Sequence, residues 1–288
     1  MPPRPEPLLP YRMVELTTNP APRSHGKTLR LFEEASYEPT PDPPRRQAPA
    51  TEVIVWTPPA VPRTESSPRV SMECIVLGDK LDPRLTLLTA PDSAQSKAFR
   101  LLRHRLLRQS DPRLIAVTSA ERGEGKTTCA VNLALAIAEE TLTRVLLFEA
   151  NVRQPSAARL FDYEPRECLS RQLSRLQGSM RGYSIAAVAG TRLCIAAMAP
   201  DLPPGVRLDR FILGVALSEL RSEFDYIVVD TSPVLESADA NAVAESVDGV
   251  VLVARADRSR QKRVKRAVKQ LGSAPLLGIT LLDSREAA

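Results

Sequence analysis

Residues 115–130, IAVTSAERGEGKTTCA, carry the residue types and spacing of a phosphate cradle. Leu114 to Val117 predict a short apolar strand, Gly123-Glu124-Gly125 a tight turn, and Asn132 to Glu139 an apolar helix. Backbone N–H groups of Gly123, Glu124 and Gly125 can wrap a polyphosphate, and the positive end of the following helix dipole meets the same anion. Lys126 can reach the terminal phosphates of ATP, the Thr127 hydroxyl can fill one position on Mg²⁺, and Thr128 ends the loop. Ala120 replaces the first glycine of G-x-x-x-x-G-K-[ST], so the pattern is relaxed at that end. The competing reading is a loop that only turns a strand into a helix; the apolar strand before it and the apolar helix after it favour nucleotide binding.

A magnesium nucleotide also needs an acid. EFDYIVVDTSPV (Glu223 to Val234) predicts an apolar strand ending at Asp230, where a carboxylate can hold the metal shell. A strand that simply stops at a turn formed by Asp230, Ser232 and Pro233 is the alternative, and the upstream glycine loop favours the metal role. RVLLFEANVRQP (Arg144 to Pro155) predicts a third strand followed by a polar turn, with Glu149 at its end.

These tips come together if the strands lie side by side with helices between them. In open parallel sheets, ligands bind at the carboxyl ends of the strands. The fold class expected is α/β, a doubly wound, mainly parallel P-loop sheet.

The order strand–GEGKTT–helix, VLLFEANVRQP, FDYIVVDTSPV is similar to the cytoplasmic bacterial tyrosine kinases (BY-kinases) of polysaccharide assembly, relatives of the Min/Par partition ATPases. Upstream, LDPRLTLLTAPDSAQSKAFRLLRHRL (Leu81 to Leu106) resembles that family's linker and arginine-rich helix. Downstream, DANAVAESVDGVVLVARADRSR and LLGITLLD resemble its closing helix–strand–helix–strand run. The resemblance spans residues 80 to 283 and leaves out the N-terminal segment.

The resemblance implies an enzyme that binds ATP and Mg²⁺ and passes the γ-phosphate to protein tyrosine. It gives Lys126, Glu149 and Asp230 the catalytic roles. Thr127, Asp230 and Glu149 would hold the metal, Asp283 joins the nucleotide contacts, and Arg153 orders the loop after its strand. It implies an inner-membrane polysaccharide co-polymerase, or chain-length regulator, as partner in exopolysaccharide or capsule synthesis, and a homo-oligomer. Departures fall on the same positions. Where the family has D-x-D-x-R, this chain has Glu149, Asn151 and Arg153, and a neutral amide at 151 can be no general base. On this reading, Glu149→Asp with Asn151→Asp is expected to raise turnover. Lys97 stands where the family's E-x-x-R-x-x-R helix has its glutamate, with Arg100 and Arg103 in place, which counts against the family's ring. The last residues, TLLDSREAA, offer no tyrosine cluster. Two further readings stay open: a catalytically weak nucleotide-sensing scaffold of the same system, and a Min/Par-type positioning ATPase. Against the latter, Glu121-Arg122 stand where that group carries an early lysine.

Sixteen of the 26 prolines precede residue 70, so residues 1–78 are expected to form a disordered arm and residues 79–288 the folded domain. Two apolar stretches, VIVW (Val53 to Trp56) and CIVLG (Cys74 to Gly78), could add a strand to a partner or touch the chain's own domain. No apolar run reaches the about 18 to 20 residues that span a bilayer, and the N-terminus lacks a leader pattern. A cytoplasmic protein is expected, peripheral at the inner membrane through its partner. The four cysteines show no metal or disulfide spacing. Net charge is +5, and Arg258, Arg260, Lys262, Arg263, Lys265, Arg266 and Lys269 crowd one segment. Anionic lipid or nucleic acid could face it; a solvated face of a packed helix is the preferred reading, and nucleic acid is not expected as a partner.

Overall fold

The computed structural model describes residues 13–16, 69–78, 80–140, 142–175, 182–203 and 206–282. Most of the expected arm, including VIVW, lies outside them.

In chain order the elements are β1 (Met13–Leu16), β2 (Arg69–Ile75), α1 (Thr86–Thr89), α2 (Ala94–Ser110), β3 (Leu114–Ser119), α3 (Lys126–Ala138), β4 (Val145–Glu149), α4 (Ala157–Leu160) and α5 (Leu169–Arg175). Then follow β5 (Gly182–Val188), β6 (Leu193–Ala196), α6 (Arg210–Leu220), β7 (Tyr226–Asp230), α7 (Ala238–Ala244), β8 (Gly249–Arg255), α8 (Gln261–Leu271) and β9 (Leu276–Leu282). The strands make one sheet in the order β1-β9-β8-β3-β7-β4-β6-β5-β2. Pairing is parallel from β9 through β6 and between β5 and β2; β1–β9 and β5–β6 are antiparallel.

The central strands read as continuous apolar runs because helices cover both faces. Every residue of β3 is buried. Ile115 and Val117 face one core with Val145, Leu147, Val228 and Val251, closed by Phe99 and Leu102 of α2 and the buried side of α3. Leu114 and Ala116 face the other with Leu146, Phe148, Ile227 and Val229, closed by α6, α7 and the inner stripe of α8. That two-sided covering is the doubly wound architecture.

The sheet reaches further toward the N-terminus than residue 79. Strand β2 pairs with β5, Arg69 opposite Gly182 through Ile75 opposite Val188. Cys74 and Ile75, the start of CIVLG, thus contact the chain's own sheet. Proline and charge density around residues 62–69 hide this strand from a reading of composition, because its partner lies more than a hundred residues away in sequence.

The segment before β3 is fastened to α3 by one buried side chain. Asn132 Oδ1 accepts from Thr86 Oγ1 (2.8 Å) and Leu87 N (3.2 Å). Its Nδ2 donates to Arg84 O (2.7 Å) and Thr128 O (2.8 Å). Buried groups left without partners cost about 1–3 kcal/mol each, so Asn132→Ala is expected to destabilise the chain by about 2–4 kcal/mol in urea unfolding. Limited proteolysis should then cut first between residues 80 and 92; an unchanged urea midpoint would show that this fastening carries no stability.

Candidate functional site

The loop between β3 and α3 takes its shape from two glycines in the left-handed region, Gly123 (φ 75°) and Gly125 (φ 88°). A Cβ on Gly125 would lie 2.5 Å from Leu282 Cδ1, and one on Gly123 would lie 3.0 Å from the Arg258 guanidinium. Neither position accepts a side chain without displacing a neighbour. Gly125 caps α3 with no side-chain hydrogen bond to the helix N-terminus, so first-turn N–H groups stay available to an anion.

The loop also braces itself. Glu124 is buried, and its Oε2 accepts from Glu121 N (2.8 Å). Its Oε1 accepts from the Ser259 hydroxyl in the β8–α8 connection. Arg255 Nη1 donates to Gly123 O (3.4 Å), and Arg263 pairs with Glu121 at 3.3 Å. The three contacts made by Arg255, Ser259 and Arg263 carry no sequence signal, because they join segments far apart in the chain.

Parallel pairing brings the three strand tips into line. Val117 of β3 stands opposite Asp230, and Asp230 stands opposite Glu149 of β4. Thr127 Oγ1 donates to Asp230 Oδ2 (2.8 Å), while the buried Asp230 Oδ1 has no hydrogen-bond partner. Burial pushes the Asp230 carboxyl above the usual carboxylate range, against the pull of Lys126 and the Thr127 hydroxyl. Lys126 is itself buried. An orphaned buried carboxylate oxygen beside a threonine hydroxyl and a lysine is a donor set that fits a divalent cation with a phosphate ligand. Thr127 and Asp230 are the residues that would hold such an ion.

Glu149 is placed differently from the metal-facing acid expected. Its Oε1 accepts from Ser156 N (2.5 Å) and Ala157 N (2.8 Å), and its Oε2 accepts from Met198 N (2.9 Å). The carboxylate therefore ties the β4–α4 turn to the end of β6. Burial raises its carboxyl to about 7, opposed by the three N–H donors and reinforced by the neighbouring Asp230. Asn151 is buried too; its Nδ2 donates to Gln154 O (2.9 Å) and its Oδ1 accepts from Ser232 Oγ (3.2 Å). These two side chains order the turn after β4. Arg153, expected to do so, is exposed, and its side chain makes no hydrogen bond or ion pair with another described residue. Asp283 lies outside the described residues.

Two arginines of α2, Arg100 and Arg103, are occupied within the chain. Arg100 pairs with Glu139 at 2.6 Å and also donates to Pro91 O (2.6 Å). Arg103 donates to Ala136 O (2.7 Å) and pairs with Glu140 at 3.3 Å, while Lys97 is exposed. A polar cluster at the C-terminus of α3 thus takes up the two arginines of the E-x-x-R-x-x-R pattern.

The family model for the AAA domain, AAA_31, matches residues 112–271, more than half of the 288-residue chain. The chain belongs to this AAA domain family. The match runs from just before β3 to the end of α8, so it contains the glycine loop, Glu149 and Asp230. Among curated relatives, tyrosine-protein kinase YwqD of Bacillus subtilis is 28% identical over 200 residues, covering 68% of this chain and 83% of that protein. The succinoglycan biosynthesis transport protein ExoP of Rhizobium meliloti is 28% identical over 203 residues, 68% of this chain and 25% of that protein. Among solved structures, the chimerical protein CapA2B2 superposes with a TM-score of 0.60 at 23% identity, over 73% of this chain and 92% of that one. At that identity the superposition speaks for the fold. Together these matches agree with the tyrosine-kinase resemblance read from the motifs. No helix among the described residues is long and apolar enough to cross a membrane.

Proposed function

We propose that this chain binds ATP with Mg²⁺ at the Gly123–Thr128 loop and transfers the γ-phosphate to protein tyrosine, in the control of exopolysaccharide or capsule synthesis. The observation that carries the reading is the Thr127–Asp230 hydrogen bond, which leaves Asp230 Oδ1 unpartnered at the mouth of a loop ending in Lys126. The relatives' names, tyrosine-protein kinase and succinoglycan biosynthesis transport protein, supply the acceptor and the process. Bound magnesium would neutralise charge that develops on the transferring phosphoryl group. The chain's own contribution is positional: N–H groups of Gly123 to Gly125 fix the phosphates, Lys126 sits at the terminal one, and Asp230 holds the Thr127 hydroxyl in place.

A second reading, a nucleotide-sensing scaffold, is favoured by Glu149, whose carboxylate is engaged by three backbone donors. The two separate on one experiment. The full chain is incubated with γ-labelled ATP, Mg²⁺, a glutamate–tyrosine copolymer and the cytoplasmic segment of a polysaccharide co-polymerase. Labelled phosphotyrosine that disappears with Lys126→Ala is expected. Nucleotide binding without any phosphotyrosine, with the partner present, would leave the scaffold as the function.

A further inference from the structure

The exposed cations of α8 form a pattern that packing does not account for. Lys262, Lys265, Arg266 and Lys269 are all exposed and recur at i, i+3, i+4 and i+7, one face of a helix. Val264, Ala267, Val268 and Leu271 repeat the same spacing two residues later, about 200° around the axis, and these are the residues turned into the core. The apolar stripe is therefore already covered by the sheet, and the opposite side carries cations with no acidic residue on the helix. None of the four side chains makes an ion pair or hydrogen bond with another described residue. A solvated helix face ordinarily mixes both signs, with acids paired at i+4.

The helix is also tied to the site. Arg263 on its flank pairs with Glu121, and Ser259 just before its start donates to Glu124, so the start of α8 is joined to the glycine loop.

We propose that the outer face of α8 docks on an anionic lipid surface, by charge alone and without insertion. Insertion would need exposed apolar residues on the same face, and the helix has spent them on the core. Lysine, the majority of the stripe, is a strongly hydrated point charge suited to headgroup phosphates. A flat bilayer is the favoured partner, because the cations lie along one side of a helix of about three turns and can all meet a plane at once; a DNA duplex is the competing anion that the test separates. The proposal does not depend on phosphoryl transfer, since lipid binding is read without nucleotide.

The test is co-sedimentation of the full chain with vesicles of phosphatidylcholine alone, or of phosphatidylcholine and phosphatidylglycerol in equal parts, with a short DNA duplex run in parallel. Binding to the anionic vesicles only, lost on raising salt well above 0.1 M, where screening over about 10 Å takes hold, is expected. The variant Lys262→Ala/Lys265→Ala/Arg266→Ala/Lys269→Ala should bind at least roughly tenfold more weakly, given the contribution of each basic residue near an anionic leaflet. A charge-matched control, Lys80→Ala/Lys97→Ala/Arg108→Ala/Arg171→Ala, should bind like the unmodified chain. Should the quadruple α8 variant melt early, Lys265→Glu replaces it, reversing one charge within the stripe. Equal loss in both quadruple variants, no binding to anionic vesicles, or tighter binding to the duplex than to them would overturn the proposal.

Discussion

Lys126→Ala weakens Mg²⁺–ATP binding by at least tenfold, about 1.4 kcal/mol, in the calorimetric titration we expect to be decisive for the glycine loop. The lysine is buried at the start of α3, where its ammonium is the positive charge that pulls Asp230 toward ionisation. Removing it takes away a phosphate contact and also leaves the metal-side acid harder to ionise, so phosphate and cation affinity fall together. A second readout follows from linkage: a ligand at a hundred times its Kd stabilises the folded chain by about 2.7 kcal/mol, and that thermal shift should shrink in the variant. Equal affinity in the two proteins would remove the nucleotide reading and the kinase proposal with it.

Glu149→Ala is expected to act on stability first. Three backbone N–H groups, of Ser156, Ala157 and Met198, converge on this one buried carboxylate. Left without an acceptor they cost about 3–5 kcal/mol, a fall in melting temperature of roughly 10 °C for a domain of this size. Glu149→Asp should give part of that loss, because a side chain one methylene shorter cannot reach both sides of the turn. Asn151→Asp is expected to add to it by setting a carboxylate against Gln154 O, where the amide now donates. Restoring the acids of the family pattern is thus expected to cost stability, in place of the gain in turnover that the motif alone suggests. A variant Glu149→Ala that melted normally but lost phosphotransfer would return the residue to a catalytic role.

The difference between those two residues marks where the sequence ceases to be informative. The strand–loop–helix around Lys126 and the strand ending at Asp230 are local patterns: apolar runs bounded by glycine or by Asp-Thr-Ser-Pro, whose geometry follows from nearest neighbours. Their meeting is legible because parallel strands align their carboxyl ends. The partners of Glu149 are not, since a carboxylate at a strand tip can turn to a metal or to a backbone donor, and the donors come from residues 156, 157 and 198. The same holds for Glu124 with Ser259, and for Asn132, whose ordinary place in an apolar helix gives no hint of its four hydrogen bonds. The first residues of strand β2, before CIVLG, and the antiparallel β5–β6 pair went unread for a related reason: their pairing is decided by the sheet edge. The basic stripe of α8 was visible at once, and so was its apolar side, since Val264, Ala267, Val268 and Leu271 recur at helical spacing and are the residues the core claims.

The bond between Thr127 and Asp230 spans 103 residues of chain. At a synthesis rate of about 5–20 residues per second, the glycine loop leaves the ribosome roughly 5–20 s before the acid that completes it. Strand β3 is buried on both faces and flanked by β7 and β8, both made later, so through that interval it is an apolar segment with two unpaired edges. The parallel order that aligns the strand tips therefore carries a kinetic liability: nascent chains stopped between residues 130 and 226 should be the ones that chaperones hold and that aggregate when chaperones are absent.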